Sequence, residues 1–378
     1  MAVRVVIASD GKKGHFNQSL VAARMLGDEN PMVVNLRKDF NELPLRLRFA
    51  SMGRGAVTRS GARGLVERKM FEELPIGLTT LGNGKLPQDQ DLRIFTVSTG
   101  TSVATANLVL ARMLQADPIV CMTPSLLPRK HFRLNLVPPH DVKDREHLPE
   151  NIIVTPAALS YHDEIKAFDM ANQLARDNNL DPDFEYIALA IGGPSNSAPW
   201  REETVIEGLK EVLKTAEVHE QKLLVSTSRR TPDWCRNWLI ANYVGNPAVS
   251  YFLDASTSDL NPLPGFFVLA DGVVVTCDSF SMVGEAVNSG HRPIVIKVNE
   301  PPQSVKEAEF KVEKLDKMNR AVMNLSNEGL VDIANDAFEI RGCIIRRSRR
   351  KKPNLLYERT MDEVRQRLNI PEEVPVQS

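Results

Sequence analysis

An α/β fold in two successive halves is predicted by three features of the sequence. Short apolar runs, such as VRVVIA at 3–8, alternate with longer amphipathic ones. That alternation occurs twice, with the polar stretch DNNLDPDFE at 177–185 between the two series. Several apolar runs also pass straight into loops of glycine, hydroxyl and basic residues. Strands buried on both faces of a parallel sheet read as continuous apolar runs. Strand-helix alternation implies right-handed βαβ crossovers. At 378 residues the chain has room for two domains, since a domain takes ~100–200 residues.

In chain order, 3–8 reads as a strand, 18–27 as a helix closed by Gly27, and 32–36 as a second strand. Residues 37–90 are rich in Arg, Gly and polar groups, and helices with loops are expected there. A strand at 93–98 leads into a helix at 101–114, with further strands at 119–122, 134–137 and 152–154. A helix fits 164–176. The second series has strands at 186–191, 223–227, 249–252, 273–277 and 294–298, and helices at 201–217, 233–243 and 280–289, the last followed by Gly290. A final helix fits 354–368, and the tail PEEVPVQS is expected to be disordered. The expected division is a first domain at 1–170, a linker at 171–184, a second domain at 185–342, and a basic segment with a C-terminal helix at 343–378.

Hydrophobic residues make up 42% and charged residues 25%, enough to build a core. With 47 Lys and Arg against 48 Asp and Glu, the net charge of -1 gives no global support for nucleic-acid binding. Cys121, Cys235, Cys277 and Cys343 are far apart and form no C-x-x-C, which argues against a disulfide framework or zinc site and fits a reducing cytoplasm. MAVRVVIASD reads as a first core strand rather than a signal peptide. No run reaches the ~20 apolar residues of a membrane span, so membrane contact, if any, would be peripheral.

Four strand-end stretches carry candidate chemistry, because ligands of open α/β sheets bind at the carboxyl ends of strands. In the first, Ser9 to Ser19, Gly11 and Gly14 let backbone approach a ligand, while Lys12, Lys13, His15, Asn17 and Gln18 supply donors beside Asp10. Its spacing is not the dinucleotide fingerprint G-x-G-x-x-G. In the second, Gly192, Gly193, Ser195 and Asn196 suit phosphate or ribose contact. The third holds Ser226, Thr227, Ser228, Arg229, Arg230 and Thr231, an anion site by composition, with Thr231 expected to cap a helix that begins at Pro232. In the fourth, Asp278 or Ser279 is expected to cap a helix whose first turn, with the Ser279 and Ser281 hydroxyls, would cradle an anion. Glu285 lies one turn after Ser281 on the same face, placed to accept ribose hydroxyls. Thr99 with Gly100, and His162, are fainter candidates. No metal-binding or P-loop pattern is present.

SDGKKGHFNQSL, IGGPSN, STSRRTP and VVVTCDSFSMVGEA, in that order, resemble the mitochondrial fission ELM1-like family over roughly residues 5–295. That family resembles the GT-B glycosyltransferases, including inverting enzymes that act on lipid-linked acceptors. The resemblance implies two Rossmann-like domains facing across a cleft, with a nucleotide-diphosphate sugar held mainly by the second. It places Gly192, Gly193 and Ser195 at the diphosphate, Ser228 and Arg229 at phosphate or base, Ser279, Ser281 and Met282 along the nucleotide, and Glu285 on the ribose. Gly14 and His15 would face the sugar or acceptor. The segment SYHDEI and the residue Cys277 depart from the family's pattern.

The leading expectation is therefore an inverting hexosyl transferase that requires no metal or cofactor, with His15 as base, Asp10 orienting it and Arg229 serving the leaving group. An epimerase or hydrolase acting on the same nucleotide-sugar is a second reading. A non-enzymatic adaptor in membrane or organelle division is a third. For that one the run RRSRRKK at 346–352 matters, since it reads either as a solvated segment or as a contact for an anionic membrane.

Overall fold

The computed structural model describes residues 2–42, 62, 70–75, 77–78, 92–124, 127–142, 147–195, 198–299, 321–346 and 352–371. Most of the arginine- and glycine-rich region 37–90, together with Asn196 and positions 347–351 of the basic run, lies outside the described residues. The chain forms two compact units, Met1–Thr155 with Glu358–Ser378, and Pro156–Tyr357.

In the first unit, β1 (Ala2–Ser9), β2 (Met32–Asn35), β3 (Leu92–Thr99), β4 (Asp117–Cys121), β5 (Leu134–Val137) and β6 (Ile152–Val154) form one sheet in the order β2-β1-β3-β4-β5-β6. Every pairing is parallel. Val5, Val6 and Ile7 in succession are fully buried, as a strand covered on both faces requires. α1 (Lys13–Met25), α2 (Lys38–Glu42) and α3 (Thr101–Leu114) accompany the sheet. Val103, Leu110 and Met113 of α3 join Val6, Ala8 and Val34 in a shared core. α1 starts five residues before the expected 18–27. Lys12 is extended and its carbonyl accepts from Phe16 N at 3.0 Å, so Lys13, Gly14 and His15 form the first turn instead of a loop. Lys13 and Gly14 face solvent, His15 turns to Asp10, and none of the three gives a periodic apolar signal.

The second unit holds β7 (Tyr186–Ala190), β8 (Lys222–Ser226), β9 (Val249–Leu253), β10 (Gly272–Thr276), β11 (Ile294–Ile296) and β12 (Asp332–Ala334), in the order β12-β11-β10-β7-β8-β9 and again all parallel. Its helices are α4 (Glu164–Asp177), α5 (Glu202–Val218), α6 (Asp233–Tyr243), α7 (Leu263–Leu269), α8 (Phe280–Asn288) and α9 (Ala337–Arg346). α10 (Leu355–Leu368) follows.

The division between the units falls at Thr155 and Pro156, ahead of the stretch 171–184 expected to link them. α4 belongs to the second unit because it packs on α7. A Cβ on Gly265 would press on Leu174 at 2.8 Å and Met170 at 2.9 Å. α7, β12 and α9 have no counterpart among the elements expected from the sequence. α7 is too short and too uniformly apolar to show a period, yet Leu263, Phe266 and Phe267 all enter the core.

In both sheets the strand order reverses around the first strand, between β1 and β3 in one and between β7 and β10 in the other. Such switch points leave a crevice at the carboxyl ends of the strands. Among the described residues no helix is long and apolar enough to cross a membrane.

Candidate functional site

At the first switch point, β1 is followed by Asp10 and β3 by Gly100. The Asp10 side chain is fully buried. It accepts from His15 Nδ1 at 3.0 and 3.2 Å, from Ser102 Oγ at 2.7 Å and from the Lys12 backbone N at 3.2 Å, and Lys12 Nζ lies 3.3 Å away. Burial alone would raise its pKa. The bonds from His15 and Ser102, the electrostatic attraction of His15 and the Lys12 N–H together hold it well below the usual carboxylate range. Asp10 therefore stays ionised and fixes the proton of His15 on Nδ1, leaving Nε2 as the free basic nitrogen.

The His15 ring lies against Gly100, where a Cβ would meet Cε1 at 3.0 Å and Nε2 at 3.3 Å. Gly100 also has φ +82°, so glycine is required there on both counts. Ser102 was not anticipated. The only hint in the sequence is its position just after the loop that contains Thr99 and Gly100.

Some expected contacts of this unit are structural. Thr99 is buried, and its hydroxyl bonds Ser19 Oγ at 2.8 Å, which holds α1 against β3. Gly11, with φ +77°, makes the turn, and its N–H goes to Ser9 Oγ at 3.1 Å. Gly14 and Asn17 are exposed and Gln18 is half-buried on α1.

At the second switch point three loops interlock. Gly192 N donates to Thr276 Oγ1 at 2.8 Å and Gly193 N donates to Asp278 Oδ2 at 2.7 Å. Thr231 Oγ1 accepts from Ser228 N at 2.9 Å and donates to the Gly192 carbonyl at 2.5 Å. A Cβ on Gly192 would overlap the Asp278 carboxylate, and one on Gly193 would overlap the Arg230 backbone. The two glycines are thus needed for loop-to-loop approach, and their N–H groups are spent on protein acceptors rather than held open for phosphate.

Several further assignments change. Thr231 bonds the glycine loop instead of capping α6, whose N-cap is Pro232. Ser279 occupies the N-cap of α8 but makes no side-chain cap bond, its hydroxyl lying 3.5 Å from Ser281 Oγ. Asp278 turns to Gly193 instead of capping. Burial pushes the Asp278 carboxyl up, despite the Gly193 N–H and the Arg230 guanidinium 3.7 Å away. Arg229 is paired with Asp259 at the surface, so Arg230 is the guanidinium at the switch point. Ser195 closes a tight turn with Ala198. Met282 packs partly into the core. His162 is held through its backbone by Asn354.

Glu285 is different. It is half-buried on α8, its side chain makes no hydrogen bond or ion pair among the described residues, and burial pushes its carboxyl up to about 7. The unsatisfied N-terminal N–H groups of α8 carry partial positive charge. This corner of the unit therefore offers anion donors and, farther along the helix, an acceptor in need of donors. Among the described residues no group of three or more His, Cys, Asp or Glu could hold a metal ion.

A comparison with curated proteins finds no match. Among solved structures, UDP-GlcNAc 2-epimerase from Neisseria meningitidis bound to UDP-GlcNAc is 10% identical, with 97% of this chain and 100% of that one covered at a TM-score of 0.52. That likeness extends to the fold, which is α/β and GT-B-like. MurG from Acinetobacter baumannii is 10% identical at a TM-score of 0.45, covering 97% and 100% of the two chains. A family 9 glycosyl transferase from Veillonella parvula is 10% identical at 0.42, covering 86% and 97%. The family model described as "Mitochondrial fission ELM1" matches residues 13–339.

Proposed function

The chain belongs to the mitochondrial fission ELM1 family, and from that premise we propose that it binds a nucleotide-diphosphate sugar on its second unit and transfers the hexosyl group with inversion. The observation that carries this reading is Glu285. A half-buried carboxylate without a partner is costly unless a ligand supplies donors, and two vicinal ribose hydroxyls supply two. The diphosphate would lie at the start of α8, beside the Ser279 and Ser281 hydroxyls, with Arg230 as its nearest guanidinium.

The Asp10–His15 pair supports the chemical half of the proposal. Within the first unit, His15 Nε2 backed by Asp10 has the chemistry of a general base toward a hydroxyl; in the proposed transfer the acceptor oxygen loses its proton and bonds the anomeric carbon as the bond from that carbon to the diphosphate breaks. The negative charge that leaves with the nucleoside diphosphate is balanced by the helix N-terminus and Arg230, in place of a metal.

Thermal unfolding against a panel of nucleoside diphosphates and their sugars, led by UDP-sugars, tests the binding. A ligand at about 100 times its Kd adds about 2.7 kcal/mol to stability. One nucleotide-sugar is expected to shift the transition more than its bare nucleotide does, and the shift should persist in EDTA. No shift with any member of the panel would refute the proposal.

A further inference from the structure

The second unit carries a cavity at the amino ends of β8 and β9, the opposite end of the sheet from its switch point. β8 runs from Lys222 to Ser226, so at about 3.3 Å per residue the cavity lies on the order of 13 Å from the loops that interlock at the carboxyl end. The end of α5, the start of β8 and the turn before β9 enclose about 430 Å³, within the ~300–1,000 Å³ of small-molecule sites.

Its walls are apolar at Phe184, Ala216, Pro247 and Ala248. The polar groups among them lean toward acceptors, with the carboxylates of Glu217 and Glu220 against one ammonium, that of Lys222. Lys222 Nζ is already engaged, donating to the Pro247 carbonyl at 2.8 Å and lying 4.5 Å from the centre of the Phe184 ring. Asn246 Nδ2 is engaged too, donating to Glu217 Oε1 at 2.8 Å. Glu217 also stands in the last turn of α5, which contains no basic residue. The carboxyl end of a helix carries partial negative charge and favours a cation.

Gln221 gives an independent sign of the same shortage of donors. It is 3% exposed, yet its Oε1 has no hydrogen-bond partner among the described residues. Its Nε2 donates to Glu185 Oε2 at 3.3 Å, so turning the amide over would set Oε1 against a carboxylate. A buried acceptor left unpaired is unfavourable until a donor reaches it.

We propose that this cavity binds a small organic cation, an amine or guanidinium on a short apolar stem. Its N–H groups donate to Gln221 Oε1 and to the carboxylates of Glu217 and Glu220, and its stem packs on Phe184, Pro247 and Ala248. A bare metal ion gains nothing from apolar walls, and among the described residues no group of three or more His, Cys, Asp or Glu could hold one. The proposal is independent of the nucleotide-sugar reading, and its test reads no nucleotide.

Agmatine, a guanidinium and an ammonium joined by a short alkyl stem, is titrated calorimetrically into the full-length protein. Pentanoate and 1-pentanol serve as anionic and neutral counterparts. Agmatine is expected to bind with a Kd below about 1 mM, and the counterparts are not. E217Q/E220Q should weaken binding about tenfold. Both replaced side chains are exposed, so this variant should melt with the wild type. Q221M, similar in volume but without the amide oxygen, should also bind about tenfold more weakly. Agmatine should shift the backbone amide NMR signals of Gln221, Lys222 and Ala248, and leave those of Gly192 and Gly193 in place. Absence of binding at about 10 mM agmatine overturns the proposal. So does equal binding of 1-pentanol, which would make the cavity merely apolar, or affinity that E217Q/E220Q leaves unchanged, which would place the cation elsewhere.

Discussion

Glu285 and Asp10 are carboxylates with opposite environments, and their pH behaviour should differ in sign. Burial raises Glu285 from an ordinary 4.5 to about 7, so the folded protein holds that proton more tightly than the unfolded chain. Its contribution to stability is full below about pH 4.5 and is lost as the pH rises through about 7. E285Q keeps the shape without the charge, and should lose less stability between about pH 5 and pH 8, by on the order of 1–2 kcal/mol in urea titrations. If ribose hydroxyls donate to Glu285, affinity for the nucleotide should rise across the same interval, and E285Q should bind about tenfold more weakly with that rise gone. For Asp10 the sign reverses. Burial opposes its ionisation, but His15, Ser102 and Lys12 overcome it. Its stabilisation is present above the ordinary 3.8 and is lost only as the pH falls through the lowered folded value. D10N should cost about 2 kcal/mol at neutral pH, with the gap to the wild type closing in acid. If the chain carries out the proposed hexosyl transfer, D10N should also slow it about a hundredfold or more, because His15 loses the group that fixes its tautomer.

At the scale of elements, stability at the second switch point depends on how closely three loops pack. G193A forces a methyl group into the Arg230 backbone, which cannot yield as a flexible side chain could. The expected cost is about 2–4 kcal/mol in chemical denaturation, against a few tenths for alanine at Gly14, where nothing lies within 4 Å. A second such point is Asn288 at the end of α8. Its Nδ2 donates to Ser160 O at 3.0 Å and Oγ at 2.8 Å, and its Oδ1 accepts from Leu356 N at 3.1 Å and Tyr357 N at 3.3 Å. One amide thus ties together the two segments where the chain enters and leaves the second unit. N288L, similar in volume, should cost about 3 kcal/mol by leaving buried polar groups unpaired. The Asn288 tie was not legible in the sequence, because Asn288 lies in no motif and its partners are up to 128 residues away. Legible features were those set by local chemistry. Apolar runs marked most of the strands, and the Gly-Gly and Ser-Arg-Arg-Thr stretches marked the loops at the carboxyl ends of β7 and β8. What local chemistry could not supply was the direction of each side chain. Arg229 and Arg230 are equivalent as neighbours in sequence, and only the fold sends one to Asp259 and the other toward Asp278. The glycine N–H groups looked available for phosphate because their acceptors, Thr276 and Asp278, are 84 and 85 residues away.

For the whole molecule, each unit has its own sheet and its own buried clusters, with Leu110 in one and Leu224 in the other. Units with separate cores can unfold separately, so calorimetry of the full chain should resolve two transitions. L110A and L224A each remove a fully buried side chain, at a cost of about 2–5 kcal/mol, and each should lower a different transition. The decisive variant is V364A. Val364 lies beyond the second unit in sequence and is 1% exposed, but α10 from Glu358 onward belongs to the first unit. Arg365 Nε of that helix donates to the Met25 carbonyl at 3.0 Å, and the Leu368 carbonyl accepts from Arg93. V364A should therefore lower the same transition as L110A, and the transition that a nucleotide-sugar raises should be the one lowered by L224A. If V364A moved with L224A, the assignment of α10 to the first unit would be wrong. A single transition shared by all three variants would mean that the two cores do not melt independently.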